Sequence, residues 1–93
     1  MKLTECLSQS PDVVSREVAG ETVLLHLESG LYFGLDEVGS LIWRSLEGES
    51  RSVANLCDVV SAEFDMASLL VEKDILAFVA SLIDQGLVET KPA

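Results

Sequence analysis

His26 is the one histidine of this 93-residue chain, and Cys6 and Cys57 are its two cysteines. A nucleophilic centre needs a thiol, a base within reach and a third group to orient that base. Cys57, His26 and any nearby carboxylate could be drawn in those roles. The surroundings of each argue against it. Cys57 lies inside an apolar helical pattern, where cysteine behaves as a small buried hydrophobe, and His26 falls on the polar side of a strand. A metal centre fares no better, because one histidine and two distant cysteines supply no ligand spacing. The acids Glu47, Glu49, Asp58, Glu63 and Asp65 form no tight pair and read as a solvated surface. The expectation is a chain with no catalytic residue, no metal and no cofactor.

Charge narrows the partners. Six basic residues stand against sixteen acidic ones, a formal charge of -10. Nucleic-acid binding draws on lysines and arginines that displace counterions from phosphates, and the basic residues here are few and scattered. Neither the second nor the third helical segment carries the basic side chains of a DNA-reading helix. The same deficit argues against an anionic membrane surface. No apolar run approaches the roughly 20 residues that span a bilayer. Without a CxxC pair or a signal peptide, the default compartment is a reducing cytoplasm. An acyl carrier is the acidic helical protein of this size, but Ser40 follows Gly39 rather than an aspartate, and early strands do not belong to that fold.

Residues 1–11 read as a flexible N-terminal lead-in ending at Pro11, 12–89 as a single domain, and 90–93 as a tail. The first half of the domain has strand patterning. Asp12 to Val18 is short and mixed, and Ala19-Gly20-Glu21 signals a turn. Thr22 to Leu27 alternates, with Val23, Leu25 and Leu27 on one face. Glu28-Ser29-Gly30 turns again, and Leu31 to Leu35 is a third strand. Turns this short join antiparallel neighbours only.

The second half is helical. Asp36 suits an N-cap, Val38, Leu41, Ile42 and Leu46 share a face, and Gly48 suits a stop. Trp43, off that stripe, is expected to pack under the sheet or against the third helix. Ser52 can cap a second helix ending near Phe64. A third helix, over about 68–85, starts at Ser68 or Asp65 and ends at Gly86, with Leu82 and Leu87 spaced for a Schellman motif. The predicted architecture is α+β, a three-stranded antiparallel sheet followed by three helices.

A three-stranded meander has two open edges whose main-chain groups invite another strand. Asp12, Arg16 and Glu17 guard the first strand. The third strand, Leu31, Tyr32, Phe33, Gly34 and Leu35, has neither charge nor proline, so it is a docking edge for an extended peptide or for a second copy of the chain. On the third helix, Val71, Ile75, Phe78 and Leu82 fall within about a 60° arc at 100° per residue, the core stripe. Leu69, Leu76, Val79 and Ile83 widen the apolar surface beyond it. A bare edge beside an apolar strip makes a groove. The competing arrangement has the N-terminal segment covering that edge and the extra helical residues meeting the other helices.

The runs Val14-Ser15-Arg16-Glu17-Val18, Gly20-Glu21-Thr22-Val23-Leu24-Leu25, Gly30-Leu31-Tyr32-Phe33-Gly34-Leu35 and Val38-Gly39-Ser40-Leu41-Ile42-Trp43 resemble the PqqD family. So do Asp74-Ile75-Leu76-Ala77-Phe78-Val79, Leu82-Ile83 and Gly86-Leu87-Val88. The match covers about residues 12–89, through an ordered set of signatures rather than one diagnostic motif. The resemblance implies a winged helix-turn-helix-like fold and a recognition element for ribosomally made, post-translationally modified peptides, as in pyrroloquinoline quinone and lasso-peptide pathways. It implies that the leader of a precursor peptide adds as a strand along 31–35 and packs over the third helix. The partner enzyme would be a radical S-adenosylmethionine maturase or a leader peptidase. By position, Tyr32, Phe33 and Leu35 would shape the strand wall, and Leu76, Val79 and Ile83 the pockets. Leu70, Asp74, Ala77 and Ser81 form the alternative flank. A Phe33→Pro substitution is expected to abolish capture by removing a ladder donor. The alternative function is a generic interaction module that forms a homodimer through its bare edge.

Overall fold

The computed structural model describes residues 4–64 and 68–91. Asp65, offered above as a helix start, lies outside them, as do residues 92–93 of the expected tail and the side chains of Leu69 and Leu70. In chain order the elements are β1 (Cys6–Gln9), β2 (Val13–Val18), β3 (Glu21–His26), β4 (Tyr32–Leu35), α1 (Glu37–Ser45), β5 (Arg51–Ser52), α2 (Val53–Phe64), α3 (Ser68–Asp84) and β6 (Val88–Lys91).

Strands β2, β3 and β4 form the expected antiparallel meander in that spatial order. Val18 pairs with Glu21, which leaves a two-residue turn of Ala19 (φ 53°) and Gly20 (φ 84°). Positive φ at both central positions is the type I′ pattern, whose twist matches that of paired strands. Ala19 is the one non-glycine residue with positive φ among those described. Alternation then places Thr22, Leu24 and Leu35 in the interior, with Leu24 wholly buried.

Helix α1 follows β4 directly because Asp36 stops the strand and starts the helix, its Oδ1 accepting the Gly39 amide at 2.8 Å. Ser40, one turn in, splices helix to sheet. Its Oγ accepts the Thr22 amide at 3.2 Å and donates to the Leu35 carbonyl at 3.4 Å. The last rung of the β3–β4 ladder is thus relayed through the hydroxyl of a buried serine. Ser52 Oγ caps α2 by accepting the Asn55 amide at 3.0 Å. Helix α3 ends on the anticipated Schellman motif: Leu87 donates to the Leu82 carbonyl at 2.9 Å and Gly86 to that of Ile83 at 3.0 Å, with Gly86 at φ 72°.

The lead-in departs from expectation. Cys6–Gln9 forms β1, the centre of a second sheet in the order β5-β1-β6. Leu7 explains why: it is wholly buried in the main core, a contribution of about 1.5–3 kcal/mol. A strand with one inward apolar residue has too little alternation to be read from sequence, and its partner Val88–Lys91 lies at the far end of the chain. Residues 6–9 are therefore held by β5 and β6, and among the described residues the N-terminal segment does not pair with β4. One core, including Leu24, Ile42, Leu56, Ile75, Val79 and Leu82, lies between the inner face of the meander and the three helices.

Candidate peptide-binding site

The free edge of β4 is defined by register. The His26 amide donates to the Leu31 carbonyl at 3.0 Å, and pairing continues as Leu24 with Phe33 and Thr22 with Leu35. Only alternate residues exchange bonds in an antiparallel pair. Leu31, Phe33 and Leu35 therefore turn their main-chain groups toward β3, while Tyr32 and Gly34 turn theirs away from it. Among the described residues, no strand pairs with that outer side. The ladder donor of Phe33 thus serves the protein's own sheet, and the substitution that removes a donor from the open edge is at position 34, not 33.

Side chains along β4 divide by face. Leu31 and Tyr32 are 55% and 72% exposed, Phe33 is half-buried, Gly34 is exposed, and Leu35 belongs to the core. Tyr32 joins Val14, Val18, Val23 and Leu25 on the outer face of the sheet, around a shallow cavity of about 490 Å³. An ideal Cβ on Gly34 would meet nothing within 4 Å, so the backbone there is open to close approach.

A second cavity, of about 190 Å³, begins one residue beyond β4. It is lined by Asp36, Val38, Gly39 and Ile42 from the start of α1 and by Asp74, Ile75 and Phe78 of α3. A Cβ on Gly39 would come within 3.0 Å of the Phe78 ring, so glycine here lets the two helices approach closely. Phe78, assigned above to the core stripe, is half-buried and lines this cavity.

Of the α3 residues expected at the groove, Asp74 is exposed on the cavity side. Val79 is fully buried in the core. Leu76 and Ile83 are half-buried against the core, on the other side of the stripe from Asp74. Ala77 and Ser81, on the flank of Asp74, are exposed. The structure thus brings β4, Asp36, Asp74 and Phe78 into one neighbourhood and leaves Leu76, Val79 and Ile83 outside it. Periodicity showed that α3 was apolar around half its circumference but not which flank met α1.

The groups considered for chemistry are apart. His26 Nδ1 accepts the Ser29 amide at 3.3 Å in the β3–β4 turn. Cys57 is buried in α2; burial pushes its thiol pKa up, and the carboxylates of Glu72 and Asp58 push the same way. A thiol held protonated is a poor nucleophile. Among the described residues no group of three His, Cys, Asp or Glu is placed to hold a metal ion. No described helix is long and apolar enough to cross a membrane.

Comparison with known proteins bears on the same residues. No curated protein matches the chain. Two solved structures do. "TbiB1 in Complex with the TbiA(beta) Leader Peptide" is 41% identical, with a TM-score of 0.80 over 88% of this chain and 94% of that one. "Lasso peptide synthetase B1 complexed with the leader peptide" is 28% identical, with a TM-score of 0.75 over 89% and 96%. Both are complexes with a leader peptide. The family described as "Coenzyme PQQ synthesis protein D (PqqD)" matches residues 21–88, a span that runs from β3 through the cavity-lining helices to β6. The chain belongs to the PqqD family.

Proposed function

We propose that this protein captures the leader of a ribosomally synthesised precursor peptide by strand addition to β4. It then presents that peptide to a partner enzyme and does no chemistry of its own. The observation that carries the reading is the open edge of β4, with Tyr32 and Gly34 facing away from β3 in an uncharged strand. An added strand would take its main-chain bonds from those two residues. It would also extend the apolar outer face around Tyr32, and its side chains could reach the cavity between α1 and α3. The two structural relatives bound to leader peptides support the choice of ligand.

Presentation acts by effective concentration: a bound leader keeps the core segment beside an enzyme docked on the same carrier. The lasso-peptide relatives favour a leader peptidase as that enzyme over a radical S-adenosylmethionine maturase.

The test is Gly34→Pro. Proline is tolerated on an edge strand where its missing N–H faces outward, and the site has room for the ring's Cβ. The variant should fold like the parent and lose at least about tenfold in leader affinity, since one ladder bond is worth about 1 kcal/mol and the ring obstructs the incoming strand. Calorimetric titration with a synthetic leader would read this. Unchanged affinity in a folded variant would end the strand-addition reading.

A further inference from the structure

We propose that the cavity between α1 and α3 takes a lysine or arginine side chain of the leader, and that Asp36 and Asp74 select it. This rests on the strand-addition reading above and names the side chain that an added strand lodges there. The cavity has a volume of about 190 Å³. That is below the roughly 300–1,000 Å³ of sites for drug-sized molecules, and it suits one side chain.

The lining has two chemical parts. Val38, Ile42, Ile75 and Phe78 make it apolar. Among the described residues, the charged side chains that line it are those of Asp36 and Asp74, and both residues are exposed. A guest therefore meets the carboxylates without disturbing the core. An apolar guest would take water from those carboxylates and return no partner, and an acidic guest would be repelled. A lysine or arginine suits both parts, because its methylene stem lies on apolar surface while its charged head stays at the rim. The Phe78 ring lines the same cavity, and aromatic faces attract cations within about 6 Å.

The chain leaves both carboxylates available. The ion pairs among the described residues lie elsewhere, Arg44 with Glu17 and Arg51 with Glu49. Asp36 Oδ1 accepts the Gly39 amide as the cap of α1, which leaves its second oxygen for a guest. Capping accounts for Asp36 but not for Asp74. Asp74 lies in the middle of α3 (Ser68–Asp84), where aspartate is a poor helix former and is too far from the N-terminus to be favoured by the helix dipole. It pairs with no described side chain. At longer range, the formal charge of -10 draws a cationic segment in. Register places the guest as well. A leader residue that exchanges bonds with Gly34 faces outward with it, so the neighbours of that residue face inward, on the side of Leu35 and the cavity.

The test is a double-mutant cycle read by calorimetry. Each lysine and arginine of a synthetic leader is replaced in turn by norleucine, which keeps an unbranched stem and drops the charge. The proteins are the parent chain, Asp74→Asn and Asp36→Asn; asparagine caps a helix as well as aspartate does, so the last removes charge and keeps α1. One replacement should weaken binding about fivefold in the parent and about twofold at most in Asp74→Asn, the scale of a pair at an exposed rim. Asp36→Asn should weaken the unmodified leader about two- to threefold. A leader that binds without any lysine or arginine overturns the proposal, as does one in which every replacement costs the same in the parent and in Asp74→Asn. Coupling of Asp74 to a tyrosine or another uncharged donor assigns a different guest and overturns it too. If Gly34→Pro still weakens the leader in those cases, strand addition stands and the cation assignment alone fails. An unmodified leader that does not bind the parent chain overturns both.

Discussion

The two edges of the β2-β3-β4 sheet have the same backbone and opposite side chains. Each turns alternate N–H and C=O groups outward, Tyr32 and Gly34 on β4, Ser15 and Glu17 on β2. The β4 strand itself carries no charge and includes a residue without a side chain, and the cavity beyond it is lined by Ile42, Ile75 and Phe78 together with Asp36 and Asp74. Next to the β2 edge it places Arg16, Glu17, Arg44 and Glu47. Ordered backbone groups are thus not enough to make a docking edge. What differs is whether the flanking side chains must be displaced and desolvated before a foreign strand can approach, which charged groups resist.

Five substitutions would break or sharpen that contrast. The largest effect is expected from Phe33→Pro, which removes a donor from the β3 side of β4 rather than from its open side. It should destabilise the fold by about 3 kcal/mol or more, the scale of a misplaced proline, as read by thermal melting. A variant that folds normally but cannot bind leader would show that the register is shifted by one residue. Ser40→Ala comes next, because it strands the buried Thr22 amide and ends the relay to Leu35. The cost should be about 1–3 kcal/mol in denaturant unfolding, and a neutral result would mean that the ladder closes without the hydroxyl.

The matched pair Gly34→Pro and Ser15→Pro tests the contrast itself. Both prolines fall at outward-facing positions, yet only the first should weaken leader binding, while the second should leave it within about twofold. Equal losses in calorimetry would dissolve the distinction between the edges. The smallest effect is Ala19→Gly in the β2–β3 turn. Relieving a positive φ should stabilise the chain by about 0.5–1 kcal/mol without touching leader affinity.

What the sequence disclosed follows from how local each signal is. The meander, the Asp36 and Ser52 caps and the Leu82–Leu87 closure of α3 are written within a few residues of where they act. All are readable from the sequence. The second sheet was not, because β1 and β6 find each other across most of the chain and Leu7 is the only inward anchor of β1. Ala19 was hidden behind Gly20, the expected bearer of positive φ. The open edge of β4 was legible as a strand. Which of its residues faced out depended on register, and that is a property of two strands rather than one. The flank of α3 was undecidable for the same reason: Leu76 and Phe78 are equally apolar, and only the placement of α1 separates them.

The pairing of β1 with β6 has a practical corollary. Cys6 lies opposite Lys91, so β1 and β6 run side by side and a short linker from Lys91 to Cys6 would close residues 6–91 into a ring. New ends could then be opened at the turn around Gly48, away from β4. A ring-closed, reopened version of this protein would carry an attached enzyme from a different side of the molecule while leaving the open edge of β4 untouched. Such rearranged carriers would measure how far apart the two tethered components can sit before delivery fails.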